Sequence, residues 1–165
     1  MVLIHDFICI GRPVSEVVAL LETRDTWLVP LASSAYHEGE SLLGADRAVG
    51  PGVVSKRVHM TVGPPRSRSD SLVVPIHWEA TGLRGLFPVL EADLEFSPLG
   101  HAATQLSLWG SYSPPLDGFG ARLDRLVFHR IAEATVRSFL DGVARTIREA
   151  VPSPSGSTTV DLSGP

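Results

Sequence analysis

Apolar side chains in the middle of this chain recur at every second position. In Val53–Val62 the phase carries Val54, Val58, Met60 and Val62; in Ser71–Thr81 it carries Leu72, Val74, Ile76, Trp78 and Ala80. Phe87–Ser97 continues it with Leu90, Ala92, Leu94 and Phe96, against Glu91, Asp93 and Glu95 on the alternate phase. Ala103–Tyr112 adds Leu106, Leu108 and Tyr112. Alternation of this kind marks a strand with one buried face. Four such segments joined by Gly63-Pro64-Pro65-Arg66, Thr81–Gly85 and Ser97–His101 predict an antiparallel meander with one wet face.

Both ends of the chain follow other periods. Val2–Ile10 reads as a first strand closed by Gly11 and Pro13. Beyond it Val14, Val17, Val18 and Leu21 share a helical stripe, with Pro13 at the start, where a missing N–H needs no partner. A second short helix is expected over Thr26–Ala35, interrupted by Pro30. His37–Gly52, rich in glycine and charge, is expected to be mainly loop, with a short strand near Ser41–Leu43. Pro114-Pro115 ends the meander. Ala121–Ala150 contains no proline and a single glycine, Gly142, and predicts one long helix. Its apolar stripe changes direction near Ala134–Val136. Leu123, Leu126, Val127 and Ile131 cluster on one side; Val136, Phe139, Leu140, Val143 and Ile147 cluster on nearly the opposite side. Either the helix breaks there, or a straight helix has different neighbours along its two halves. The lack of a breaker favours the straight helix. Its C-terminal half then packs on the sheet, while Arg125, His129 and Glu133 turn toward the mouth of a cavity.

Composition narrows the function classes. The 165 residues suffice for one domain, assigned to residues 1–150, with a Ser/Pro/Gly-rich tail over 151–165 expected to be disordered. A net charge of -4 gives no electrostatic footprint for nucleic acid. No segment approaches the length of a membrane span, and the N-terminus lacks a basic leader pattern, so a cytoplasmic chain without stable membrane insertion is expected. The single cysteine, Cys9, lies in an apolar run and reads as a buried, inert thiol. Histidines and carboxylates show no metal-ligand spacing, and no Gly-rich phosphate loop or nucleophile elbow is present, so neither metal nor cofactor is expected.

The order strand, short helices, meander, long terminal helix, opening on Ile10-Gly11-Arg12-Pro13-Val14-Ser15-Glu16-Val17, resembles the START-like or SRPBCC superfamily (Bet v 1 fold, polyketide cyclase and dehydrase relatives). The run Phe87–Phe96, followed by Gly100 and Thr104-Gln105-Leu106, is similar to the penultimate hairpin of bacterial members. Gly11-Arg12 replaces the small residue usual before the proline. The resemblance covers about residues 1–150. It implies an α+β helix-grip fold: a curved antiparallel sheet wrapped around the C-terminal helix, with a central cavity for lipids, polyketides or similar molecules. Such a fold hosts binders and enzymes alike and does not select a reaction.

The residues expected to line that cavity are Trp78, Leu94, Leu108 and Tyr112 from the strands and Arg125, His129 and Glu133 from the helix. The last three, spaced four apart, can interact along one helix face. They read either as a polar anchor for an amphipathic ligand or as ordinary solvated ion pairs. Glu91, Asp93 and Glu95 read as the wet face of a strand rather than as acid–base machinery, and His59 and His77 share that outward phase. Trp109, also outward, marks a possible partner surface. Three functions follow. The first is a carrier for a hydrophobic or amphipathic small molecule. The second is a cyclase- or dehydratase-like enzyme with His129 as general base and Tyr112 or Arg125 holding an oxyanion. The third is an interaction module with a filled core, its Leu123–Ile131 stripe in a homodimer or partner interface. Hydrogen-bond convergence of His129 with Tyr112 separates the second from the first.

Overall fold

The computed structural model describes residues 1–23, 27–41, 57–81, 89–113 and 125–150. Their order is β1 (Val2–Ile10), α1 (Val14–Thr23), α2 (Leu28–Ser41), β2 (Arg57–Val62), β3 (Arg66–Arg68), β4 (Ser71–Thr81), β5 (Val89–Leu99), β6 (Ala103–Ser113) and α3 (Arg125–Ala150). All the strands join one antiparallel sheet in the order β1-β6-β5-β4-β2, with β3 paired to β4. The architecture is the helix-grip arrangement that the START-like resemblance implies.

Alternation sends one phase of each strand inward. Cross-strand register lines these residues into rows, the first being Met60, Trp78, Leu90 and Tyr112. Ile76, Ala92, Gly110 and Ile4 form the next, and Val74, Leu94 and Leu108 the one beyond. All of these but Gly110 are buried. On α3 the stripe Val136, Phe139, Leu140, Val143 and Ile147 is fully buried, and Phe139 meets Trp78 edge-on with ring centroids 5.3 Å apart. The helix passes through Ala134–Val136 without a break, as the straight-helix expectation requires.

Two features bind α3 to β1. Arg137 Nη2 lies 2.8 Å from Asp6 Oδ1, and Nη1 donates to the Phe7 carbonyl at 3.2 Å. One helical stretch later, Arg148 Nη2 donates to the Cys9 carbonyl at 2.9 Å. Among the described residues β1 is an edge strand, and these guanidinium groups occupy carbonyls that a neighbouring strand would otherwise use. Just beyond the same end of β1, Thr104 Oγ1 donates to the Arg12 carbonyl at 2.8 Å in a buried contact, tying the β1–α1 turn to β6.

One approach within the sheet is unusually close. A Cβ on Gly110 would stand 2.5 Å from Ala92 Cβ and 2.7 Å from the Glu91 carbonyl oxygen, so β5 and β6 approach here as only a residue without a side chain permits.

Several boundaries differ from the sequence reading. α2 runs on to Ser41, through residues read as loop. Pro30 is its third residue, in the first turn, where it removes no helical hydrogen bond. Arg66–Arg68, read within a connection, is a short strand hairpinned to β4 through Ser69 and Asp70, with Ser69 at φ 56° as primed turns require. Cys9 is exposed, not buried: it occupies the outward phase of β1, where strand alternation overrides the apolar character of its neighbours. The expected strand near Ser41–Leu43 is replaced at Ser41 by helix and otherwise lies outside the described residues, as do the 151–165 tail and the start of the long helix at 121–124.

Gly110→Ala should lower the urea unfolding free energy by about 1–3 kcal/mol, the usual cost of overpacking. An unchanged midpoint would mean that the strands can separate there freely.

Candidate functional site

The polar end of the inner face is built by β6 and α3. Tyr112 stands on the inward phase of β6, next to the strand's end, and only 2% of it is exposed. Its hydroxyl is 3.2 Å from His129 Nδ1, and the two rings lie nearly parallel, 22° apart. His129 Nε2 is 3.2 Å from Glu133 Oε1, one helical turn on. The convergence of His129 with Tyr112 that the sequence left open is therefore present.

Proton arithmetic orients the chain. The Glu133 carboxylate only accepts, so Nε2 carries a proton, and in the neutral ring Nδ1 is then an acceptor. The Tyr112 hydroxyl donates to it. If the ring gains a second proton, Nδ1 becomes a donor and the tyrosine hydrogen is released for another acceptor. Burial, and then the nearby Glu133 charge, push the Tyr112 pKa above its ordinary 10.0, so the phenol stays a neutral donor across physiological pH.

The other expected site residues divide. Trp78 joins Tyr112 in the first inward row through Leu90. Leu94 and Leu108 face one another across β5 and β6 and are wholly buried. Both sit two rows away from Tyr112, beyond Ala92 and Gly110. The side chain of Arg125 lies outside the described residues, as do Leu123 and the side chains of Leu126, Val127 and Ile131 that make up the expected interface stripe. Glu133 also borders a cleft of about 420 Å³ between β1 and α3, shared with Asp6, Arg130 and Arg137. Periodicity alone did not single out Asp6 and Arg137, because their pairing spans 131 positions of sequence; nor did it single out Trp27, whose buried indole N–H meets no acceptor among the described residues.

On the outward face His59 and Trp109 are exposed and His77 is half-buried beside Glu91, as the alternation predicts. Among the described residues no three His, Cys, Asp or Glu side chains are grouped to hold a metal ion, and no helix is long and apolar enough to cross a membrane.

No protein-family model matches the chain, and no curated protein matches it. Among solved structures it is similar to the Zhui aromatase/cyclase from Streptomyces sp. R1128, at 12% identity and a TM-score of 0.45, over 94% of this chain and 98% of that one. It is similar to a conserved protein from Geobacillus kaustophilus at 15% identity and a TM-score of 0.48, over 88% and 95%. A third likeness is to norcoclaurine synthase from Thalictrum flavum, at 8% identity and a TM-score of 0.42, over 92% and 88%. These are likenesses of backbone path, at identities where side-chain chemistry is not shared by default.

The raised Tyr112 pKa has a sign. The unfolded chain loses the phenolic proton first, so the folded state holds more protons above pH 10. Stability is then expected to be constant below that pH and to fall as pH rises through the folded-state value. Urea midpoints measured from about pH 8 to pH 11 should show this decline, and Tyr112→Phe should flatten it.

Proposed function

We propose that the chain binds a small amphipathic molecule, of the lipid or polyketide kind, between the inner face of the sheet and the N-terminal half of α3. The observation that carries this reading is the Tyr112–His129–Glu133 hydrogen-bond chain, which brings polar groups to the end of a largely apolar inner face. The molecule's polar end belongs at Tyr112 and His129, and its apolar body against Trp78 and Leu90.

Side-chain size supports the same location. Beside the Trp78–Leu90–Tyr112 row the inner face carries its smallest residues, Ala92 and Gly110. α3 bears Ala132 and Thr135 in its N-terminal half, whereas Phe139 and Leu140 fill the space further along. Side-chain volume is therefore smallest beside the polar chain, which supports a ligand seated there. A ligand hydroxyl can donate to the Tyr112 oxygen while the tyrosine donates to neutral His129; a ligand carbonyl is served when His129 is charged.

A second reading uses the same contact. A histidine oriented by a carboxylate and touching a protonated tyrosine has the geometry of a general base beside an oxyanion donor, which suits a cyclase- or dehydratase-like reaction. The Tyr112–His129 contact is the convergence that the enzyme requires; a carrier can use the same contact to hold a polar end, so the fate of the ligand decides between them.

Native mass spectrometry of protein purified from its own host should reveal a co-purifying amphipathic molecule. Tyr112→Phe should weaken its rebinding by about fivefold, the worth of one hydrogen bond, and Ala132→Phe should expel it while leaving the protein folded. Recovery of the molecule unchanged after prolonged incubation supports the carrier, and its conversion supports the enzyme. Undiminished binding by both variants would place the ligand elsewhere.

A further inference from the structure

The outward face of the sheet is not uniformly wet. Leu3 is 80% exposed and Trp109 54%, and the His5 ring is stacked on the Trp109 indole with centroids 3.6 Å apart. With Pro75 these side chains line a groove of about 810 Å³, within the size range of small-molecule sites. Met1 brings its amino group to one end, but both carboxylate side chains of the groove come from one strand. Glu91 and Asp93 enter it from β5, their side chains 73% and 49% exposed. Asp93 is the direct cross-strand partner of Trp109.

Neither carboxylate is firmly neutralised. His77 Nδ1, 3.7 Å from Glu91, compensates it only when protonated. Arg66 stands 3.5 Å from Asp93 in an exposed pair, a kind that contributes little and is readily displaced. An anion in the groove would meet two like charges. A neutral apolar molecule would strip water from both carboxylates and return nothing. A second copy of this sheet face would bring its own Glu91 and Asp93 toward the first pair. An organic cation satisfies both carboxylates: its charge faces them and the side of the indole that His5 does not cover, where the π-face attracts ammonium groups, and its hydrocarbon part lies on Leu3 and Pro75.

We propose that this groove is a binding site for an alkyl- or arylammonium ion, separate from the inner site and on the opposite face of the sheet. Hexyltrimethylammonium is a suitable probe, with hexanol and hexanoate as its neutral and anionic counterparts. The chain has three tryptophans, and the indole N–H resonance of Trp109 in an ¹⁵N-labelled sample is identified by its loss in Trp109→Leu, a substitution at an exposed site. The cation should shift that resonance saturably at millimolar concentration, while hexanol and hexanoate leave it in place. The Glu91→Gln/Asp93→Asn double variant should bind about fivefold more weakly. An equal response to hexanol would reduce the groove to nonspecific apolar adsorption. Undiminished affinity in the double variant, or no shift of the Trp109 signal by the cation, would overturn the proposal outright.

Discussion

The structure depends on the close approach of β5 and β6 at Ala92 and Gly110. A close approach of this kind requires neighbouring positions on the inner face to surrender their volume. Ala92 surrenders most of it and Gly110 all of it. The Ala92–Gly110 row lies between Trp78 and Tyr112 on one side and Leu94 and Leu108 on the other.

Along α3 this division is written in side-chain size. The C-terminal half presents Phe139, Leu140, Val143 and Ile147 and is packed solid. Among the described side chains of the N-terminal half, Ala132 and Thr135 are small and buried, and the polar pair His129 and Glu133 reaches Tyr112 through the histidine. The arginines on its outer flank hold the whole rod in register with β1, so the polar pair is positioned by contacts made elsewhere on the same helix. A rigid element carrying a functional group at one end and its anchors at the other is a good way to place that group accurately.

Much of this was legible in the chain. Period-two alternation located β4, β5 and β6 and sorted Trp78 and Tyr112 inward from Trp109, His59 and Glu91. The apolar stripe from Val136 to Ile147 located the half of α3 that packs into the core. What escaped had physical causes. Cys9 was misjudged because composition outweighed phase in an edge strand. The end of α2 was misplaced because glycine and charge near residue 40 suggest loop, although packing against α3 carries the helix on to Ser41. Gly110 looked like any other small strand residue, since a clash with Ala92 depends on register, which no local pattern contains. The contact between Tyr112 and His129 was a matter of three-dimensional convergence, and chain order leaves that open.

The arginine clasp on β1 also bears on the order of assembly. β1 is the first element made and α3 the last of the described ones, so Arg137 and Arg148 reach the Phe7 and Cys9 carbonyls only after some 130 intervening residues have been synthesised. Until then the outer rim of β1 is without these two caps, and it borders the exposed Leu3 and Phe7 side chains. Until α3 docks, that rim therefore offers two open carbonyls beside apolar side chains, and docking both completes the interior and caps those carbonyls.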